Sequence, residues 1–533
     1  MESKNTYYVT TPIYYVNDRP HLGHVYTTSI ADVMARYHRL LGRDTFFLTG
    51  TDEHATKVVD AAKDRGLSTQ QWADQNAKAF EETFEKLGMS HDDFIRTSQA
   101  RHMNKVSGYV KQLLDSGDVY LGEYSGWYDA GQEEYVTESN AQEADYKSVI
   151  NGKALVKKTE KNYFFKLSRY QEQLLTLLAD DGAVNGQRFQ VLPAARKNEI
   201  IARIKDGLHD IPMSRSGMTD WGINVPGDDT QTIYVWIDAL FNYLSTVDDT
   251  GREKYWPADL HLIAKDILWF HAAIWPALLL ALDKPLPKCL YAHSFWIAEG
   301  KKMSKTLGNF IDLEKIDGYV KTFGLDALRY FLVVNGPMGT TDSDFSEAKF
   351  IDTYNAALAN TFGNCFSRVA NMTAKYFDGQ LPTQTGADTL PEGLKDLLSD
   401  VKGNALSLYQ KHMEDIQPGK AAGVAMSIIN GIDSYIEQTA PFKLAKDVDR
   451  LPEVGVILYH CAEALRIASI LLWPIIPDGM EKLWGRMSGD VYLDGLRDRG
   501  RGDLASWAQW GGLKSGVEIV KGEPLYMRHR VEK

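Results

Sequence analysis

The sequence predicts a doubly wound α/β domain, interrupted by an inserted, mostly β domain and followed by a bundle of helices. Three observations carry this expectation. Strand and helix signals alternate over the first hundred residues; the alternation fails from about 119 to 230 and then resumes; long helical patterns dominate after 350. At 533 residues the chain is also too long for one ordinary core.

The elements follow in order. Tyr7 to Tyr15 is aromatic and β-branched and is broken at Pro12, as a first strand. Leu22, Val25, Ile30, Val33, Tyr37 and Leu40 recur at helical spacing through Leu41. Thr45 to Thr49 reads as a second strand running into Gly50-Thr51-Asp52. Ser68 and Gln71 form a capping box for a helix that buries Trp72, Phe80, Phe84 and Leu87. Strand, helix, strand, helix implies parallel strands joined by right-handed crossovers. The insertion is expected where Tyr120 to Val136 alternates among several glycines and Tyr163-Phe164-Phe165 adjoins a lysine-rich turn. The α/β rhythm returns at Thr232 to Asp238, then passes through a helix after Lys265-Asp266 and a strand from Cys289 to His293. The expected division is 1–118 and 231–300 for the two halves of the α/β domain, 119–230 for the insertion and 301–350 for a lysine loop and connection. The bundle takes 351–485, and 486–533 is a glycine- and arginine-rich tail without assigned structure.

Composition narrows the classes. Hydrophobic residues at 44% and charged residues at 24% describe a soluble globular protein, and no stretch is both long and uncharged enough to cross a membrane. Ile267 to Leu282 comes nearest, but it holds His271 and Pro276 between Asp266 and Asp283 and reads as a buried helix. Neither a signal core nor a transit pattern opens the chain. Three scattered cysteines exclude a disulfide framework and a Cys-only zinc knuckle and fit a reducing compartment, so a cytoplasmic protein is expected. A net charge of −12 argues against nonspecific coating of nucleic acid, while leaving room for an RNA read through local basic patches and unstacked bases.

Two motifs carry chemistry. Pro20-His21-Leu22-Gly23-His24 stands where the first strand meets the first helix. Two histidines three apart share a helical face, and at a helix N-terminus their N–H donors join free backbone amides and the positive end of the dipole, which suits phosphate. Gly23 leaves room for close approach of a ligand to the backbone. Lys301-Lys302-Met303-Ser304-Lys305-Thr306 lies between Gly300 and Gly308, and lysines on such a loop can close over a polyphosphate. Taken singly, the first motif reads as cap and core histidines and the second as a solvated basic loop. Found together, in this order and on either side of an interrupted α/β domain, they resemble the HIGH and KMSKS signatures of the class I aminoacyl-tRNA synthetases.

The flanking segments resemble the methionyl members of that family. They are Val9-Thr10-Thr11-Pro12-Ile13-Tyr14-Tyr15-Val16-Asn17, Gly50-Thr51-Asp52-Glu53-His54, Tyr234 to Leu240, Lys265 to His271, Thr439-Ala440-Pro441 and Gly522 to Tyr526, so the resemblance covers almost the whole chain. It implies a Rossmann-like catalytic domain, an inserted connective domain and a helical anticodon-binding domain. It further implies ATP-dependent activation of L-methionine and transfer to tRNA(Met), with Mg²⁺ on the pyrophosphate. Asp52 is expected to hold the substrate ammonium with help from the backbone at Ile13, and Tyr15, Trp236, Ala239, Tyr243, Ile267, His271 and Trp275 to surround the thioether, although Ile267, His271 and Trp275 at helical spacing would by themselves read as core. Such a pocket works by shape, apolar burial and sulfur–aromatic contact, and separates substrates differing by one methylene by only ~1–3 kcal/mol, which makes homocysteine an expected error. His21, His24, Lys302 and Lys305 form the catalytic and ATP group together with Gly23, and Asp266 is a candidate for the ribose. Asn364, Arg368, Pro441 and Phe442 are the expected anticodon readers, with a solvated helix face as the competing reading of the first two.

Four departures from the family pattern stand out. The residues after Tyr128-Asp129-Ala130 hold no cysteine for a hundred positions and His209 has no partners at ligand spacing, so no structural zinc and no other metal site is expected. Thr306 replaces the last serine of the lysine loop, Ala55 and Ala264 stand where glycine is usual, and Phe442 replaces a tryptophan. Leucyl, isoleucyl and valyl enzymes carry a larger editing insertion, and cysteinyl enzymes need zinc-binding cysteines. A noncatalytic RNA binder of the same ancestry would not need His21, His24, Lys302, Lys305 and Asp52 together. The short extension after Met527 leads to the expectation of a monomer.

Overall fold

The computed structural model describes residues 5–129, 134–136, 138–216, 220–248, 251–298, 300–303, 309–381, 405–487, 502–514 and 516–529. Strand β1 (Thr6–Thr10) and the two-residue β2 (Tyr14–Tyr15) flank Pro12, and α1 (Leu22–Leu40) follows. Then come β3 (Asp44–Asp52), α2 (Thr69–Lys86) behind the expected Ser68/Gln71 capping box, β4 (Asp93–Arg96) and α3 (Ala100–Asp115). In the 119–230 segment, the long strands β5 (Val119–Asp129) and β6 (Val156–Phe165) pair antiparallel in continuous register from Val119↔Phe165 to Tyr128↔Val156. At the tip of this hairpin, Trp127 packs on Tyr146 with ring centroids 4.6 Å apart, and Glu138 accepts a hydrogen bond from each of them.

Within that same segment lies β7 (Gln190–Leu192), which leaves the insertion and becomes an edge of the large sheet. Three residues give too short an apolar run to betray this placement in the sequence. The chain continues through α4 (Val235–Leu240), α5 (Asn242–Ser245), β8 (Leu260–Ala264) and β9 (Cys289–His293). The large sheet has seven strands, all parallel, ordered β4–β3–β1–β8–β9–β7, with β2 extending the line of β1. The chain first runs from β1 to β3 on one side and later places β8 on the other. A crevice therefore opens at the carboxyl ends of β1 and β8, where open α/β sheets take ligands. Gly50 in β3 is required by packing, since a Cβ there would lie 2.0 Å from the Ile95 carbonyl oxygen of β4.

Beyond 324 come α6 (Leu325–Asn335), α7 (Asn364–Phe377), α8 (Pro418–Thr439), α9 (Pro441–Leu444) and α10 (Leu451–Leu472). Contrary to the expectation that no stretch qualifies and that Ile267 to Leu282 comes nearest, the helix spanning Val448–Leu472 is long and apolar enough to cross a bilayer, but 94% of its apolar window is buried within the protein. The bundle shares one core with the sheet domain rather than standing apart from it. A buried charge cluster ties the two together. Arg329 of α6 reaches Asp32 of α1 at 2.6 Å and donates to the carbonyl oxygens of Ile475 and Pro474. Burial opposes ionisation of Asp32, but Arg36 and Arg329 outweigh it and hold its carboxyl well below the usual range.

The tail, unassigned from sequence, is anchored over its described residues by two buried carboxylates. Glu463 of α10 accepts the backbone N–H groups of Gly511, Gly512 and Leu513, and Asp326 of α6 accepts the Tyr526 hydroxyl at 2.7 Å and the Gly479 N–H at 2.6 Å. Burial raises the Asp326 carboxyl to about 6, against the pull of these hydrogen bonds. Folded Asp326 thus holds its proton more tightly than in the unfolded chain. Its stabilising contribution is complete below about pH 4 and is lost as pH rises through about 6. Asp326→Asn, which is neutral throughout and can still accept both bonds, is expected to match the parent near pH 4. At pH 8 it should exceed the parent by up to about 3 kcal/mol, as read from thermal melts at the two pH values.

Candidate active site

The crevice is a cavity of about 510 Å³ whose walls come from four strand ends. The segment after β1 supplies Ile13, Tyr15, His21, Gly23 and His24, and β3 ends on Asp52. Ala264 ends β8 and is followed by Asp266, Ile267 and His271, and His293 ends β9 and is followed by Ser294 to Trp296. Trp236, Ala239 and Tyr243 enter from α4 and α5.

His21 is the N-cap of α1, in extended conformation at φ −142° and ψ 177°. Its Nδ1 accepts the Gly23 N–H at 3.1 Å, and His24 Nδ1 accepts the His21 N–H at 3.2 Å, a capping box made entirely of histidines. Because each Nδ1 accepts, each neutral ring keeps its proton on Nε2 as a donor. The rings stack with centroids 3.8 Å apart, and burial, then the neighbouring His21, pushes the His24 pKa well below its ordinary value. Gly23 serves the cap itself: a Cβ there would sit 3.0 Å from Cε1 of His21.

The chain that follows the lysine motif returns to this helix end at Phe310 and Ile311. Leu22 N–H donates to the Ile311 carbonyl at 3.1 Å, and Phe310 packs edge-on to the His21 ring. The backbone of Lys301–Lys302 pairs with Ile297 and Ala298 in a small sheet. Lys305 and Thr306 lie outside the described residues, as does the side chain of Lys302.

On the opposite wall, His271 Nδ1 donates to the Ile267 carbonyl at 2.9 Å, so Nε2 accepts the Tyr243 hydroxyl at 2.7 Å. Burial lowers His271 to about 4, which keeps the imidazole neutral. Trp236 stacks on Phe270 at 3.8 Å and meets Tyr15 edge-on at 6.2 Å. Asp52 is 3% exposed at the base of this wall.

Trp275 lies apart from the other expected pocket residues. It does not line the cavity; it is fully buried behind Tyr243 and donates its indole N–H to His261 Nε2 at 3.3 Å. The spacing Ile267, His271, Trp275 assumes a regular α-helix, but Phe270–Ile274 forms a wide π turn. The extra residue rotates position 275 off the shared face. Conversely, Asn242, His293, Trp296 and Phe310 line the cavity without having been singled out. Position at or just past a strand end was the signal for His293 and Trp296; nothing local marks the other two.

Ala55 and Ala264 sit at φ −72° and −86°, backbone open to any residue, so neither methyl strains its turn. Among the described residues no group of three or more His, Cys, Asp or Glu side chains could hold a metal ion. In the bundle, Asn364 is exposed at the start of α7, and Arg368 on the same helix bonds Asp433 at 2.7 Å and Glu437 at 2.8 Å on α8. Pro441 and Phe442 begin α9 just beyond, with Pro441 buried and Phe442 41% exposed.

Residues 7–370 match the profile of a family described as tRNA synthetases class I (M). A methionine–tRNA ligase of Listeria monocytogenes is 42% identical over 546 aligned residues, covering 99% of this chain and 78% of that protein. The methionine–tRNA ligase of Streptomyces coelicolor is 39% identical, covering 99% of this chain and 97% of that protein. A solved Mycobacterium tuberculosis methionyl-tRNA synthetase in complex with methionyl-adenylate has the same fold, with a TM-score of 0.87 and 33% identity over 98% of this chain and 99% of that one.

Proposed function

The chain belongs to the methionyl class I tRNA synthetases, and from that membership we infer that it activates L-methionine with ATP and transfers it to tRNA(Met). The observation that supports the site reading is the contact of Phe310 and Ile311, a few residues beyond the lysine motif, with the helix end that bears His21 and His24.

In this reading, methionine lies with its ammonium at Asp52 and the Ile13 backbone and its thioether among Tyr15, Trp236, Ala239, Tyr243, Ile267 and His271. Its carboxylate, already ionised, needs no general base. One carboxylate oxygen attacks the α-phosphorus of ATP in line, and the bond to the bridging oxygen of pyrophosphate breaks. The Nε2–H donors of His21 and His24, the N-terminus of α1 and the charges of Lys302 and Lys305 neutralise the developing oxyanions. Asp266 holds the ribose. ATP enters as its Mg²⁺ complex, with the ion carried on phosphate oxygens. A terminal ribose hydroxyl of tRNA, the 2′ oxygen by family pattern, then attacks the carbonyl carbon and AMP departs.

ATP–pyrophosphate exchange with each of the twenty amino acids supplied singly tests this. Exchange with methionine is expected; exchange with a different amino acid, or with none from folded protein, overturns the pocket.

The anticodon reading places a base on Phe442, with Asn364 and Arg368 beside it. Arg368 is half-buried and held by two carboxylates, so it orders α7 against α8 and exchanges a partner when RNA binds. A stacked base contributes ~1–3 kcal/mol. Phe442→Ala is therefore expected to raise the KM for tRNA about ten- to hundredfold with pyrophosphate exchange unchanged. An unchanged charging KM would remove Phe442 from the RNA site.

A further inference from the structure

Asp238 lies on α4 between Trp236 and Ala239 of the cavity wall, yet does not line the cavity. It is 1% exposed. Its Oδ2 accepts a hydrogen bond from His54 Nδ1 at 2.7 Å and its Oδ1 one from His102 Nε2 at 2.8 Å. His54 stands two residues beyond Asp52 at the end of β3, and His102 is in the first turn of α3. The other nitrogen of His102 meets the Ser245 hydroxyl at 2.8 Å on α5, the helix that carries Tyr243. One carboxylate thus joins the strand that ends on Asp52 to both helices bearing the aromatic wall.

The turn at 52–54 is held from its far side as well. The Trp221 indole donates to the Glu53 carbonyl at 2.6 Å and packs edge-on to His54, while the Glu53 carboxylate takes Thr51, Ser98 and Arg96. Burial by itself would raise the Asp238 carboxyl, but His54 and His102 bring it down to about 2. It is therefore ionised at any working pH and accepts from both rings at once. None of these groups touches the cavity, and the chemistry uses none of them.

We propose that Asp238, acting through His54 and His102, is a positioning residue that sets the spacing between Asp52 and the aromatic wall and thereby the affinity for methionine. This rests on reading the cavity as the methionine pocket. An asparagine at 238 offers one oxygen and one NH₂, so one imidazole must reverse its tautomer or lose its bond. An asparagine at 54, by contrast, places an amide nitrogen where His54 has Nδ1 and keeps the donor.

Methionine and ATP KM values from pyrophosphate exchange, with melting curves, test the proposal in Asp238→Asn, His54→Ala, His54→Asn and a control, Asp52→Asn. Asp238→Asn and His54→Ala are expected to raise the methionine KM about tenfold or more with the ATP KM within about twofold, and His54→Asn to recover most of the loss. If Asp238→Asn does not fold, the two His54 variants carry the comparison. A folded Asp238→Asn with the parental methionine KM overturns the proposal. So does His54→Asn no better than His54→Ala, or an equal loss for both substrates alongside a lowered melting temperature. If Asp52→Asn itself leaves the methionine KM unchanged, the pocket reading falls, and the proposal with it.

Discussion

His21→Asn is expected to lower kcat for methionine-dependent pyrophosphate exchange about 10²–10³-fold while leaving the methionine KM and the melting temperature close to the parent's. The substitution separates two jobs of one ring. Nδ1 of His21 caps α1 by accepting the Gly23 N–H, and an asparagine Oδ1 can do the same. Nε2–H, which the cap geometry obliges to be a donor, has no counterpart in asparagine. A donor aimed at charge that develops only in the transition state affects kcat rather than substrate binding. His21→Ala should show the same kinetic loss plus about 1 kcal/mol of stability from the missing cap. An active His21→Asn enzyme would reduce His21 to a cap, and the chemistry would then rest on His24 and the lysine loop.

The second large effect belongs to Asp52. Asp52→Asn keeps shape and burial while removing the charge proposed to hold the substrate ammonium. A buried charge-assisted hydrogen bond is worth about 1.5–3 kcal/mol, so the methionine KM is expected to rise about 10–150-fold with the ATP KM unchanged. The aromatic wall proposed for the thioether is built separately, from Tyr243 donating to a neutral His271 and from the Trp236–Phe270 stack. Discrimination among amino acids should therefore survive in the variant even as affinity falls. Loss of discrimination together with affinity would mean that Asp52 shapes the side-chain pocket rather than holding the ammonium.

What the sequence by itself determined was local or repeated over many residues. The Ser68/Gln71 capping box closes within four residues, α1 shows its buried face through six apolar positions at helical spacing, and β9 falls on Cys289–His293, the expected span. HLGH and KMSKT are short contiguous strings, and so the family was legible from them together with the residues around them. Tertiary structure decided whatever depends on partners far along the chain or on helix phase. The π turn at Phe270–Ile274 sets which side chains share the cavity face, because an extra residue per turn changes the phase, and Trp275 is buried behind that face. The tail gained its place from Glu463 and Asp326, buried acceptors that leave no periodicity in the segment they hold. β7 joined the sheet from inside the insertion through only three residues, too few to show a pattern. The Asp238 clasp joins residues 136 and 184 positions apart, and hydrogen bonds at that separation depend only on where the folded backbone puts their donors and acceptors.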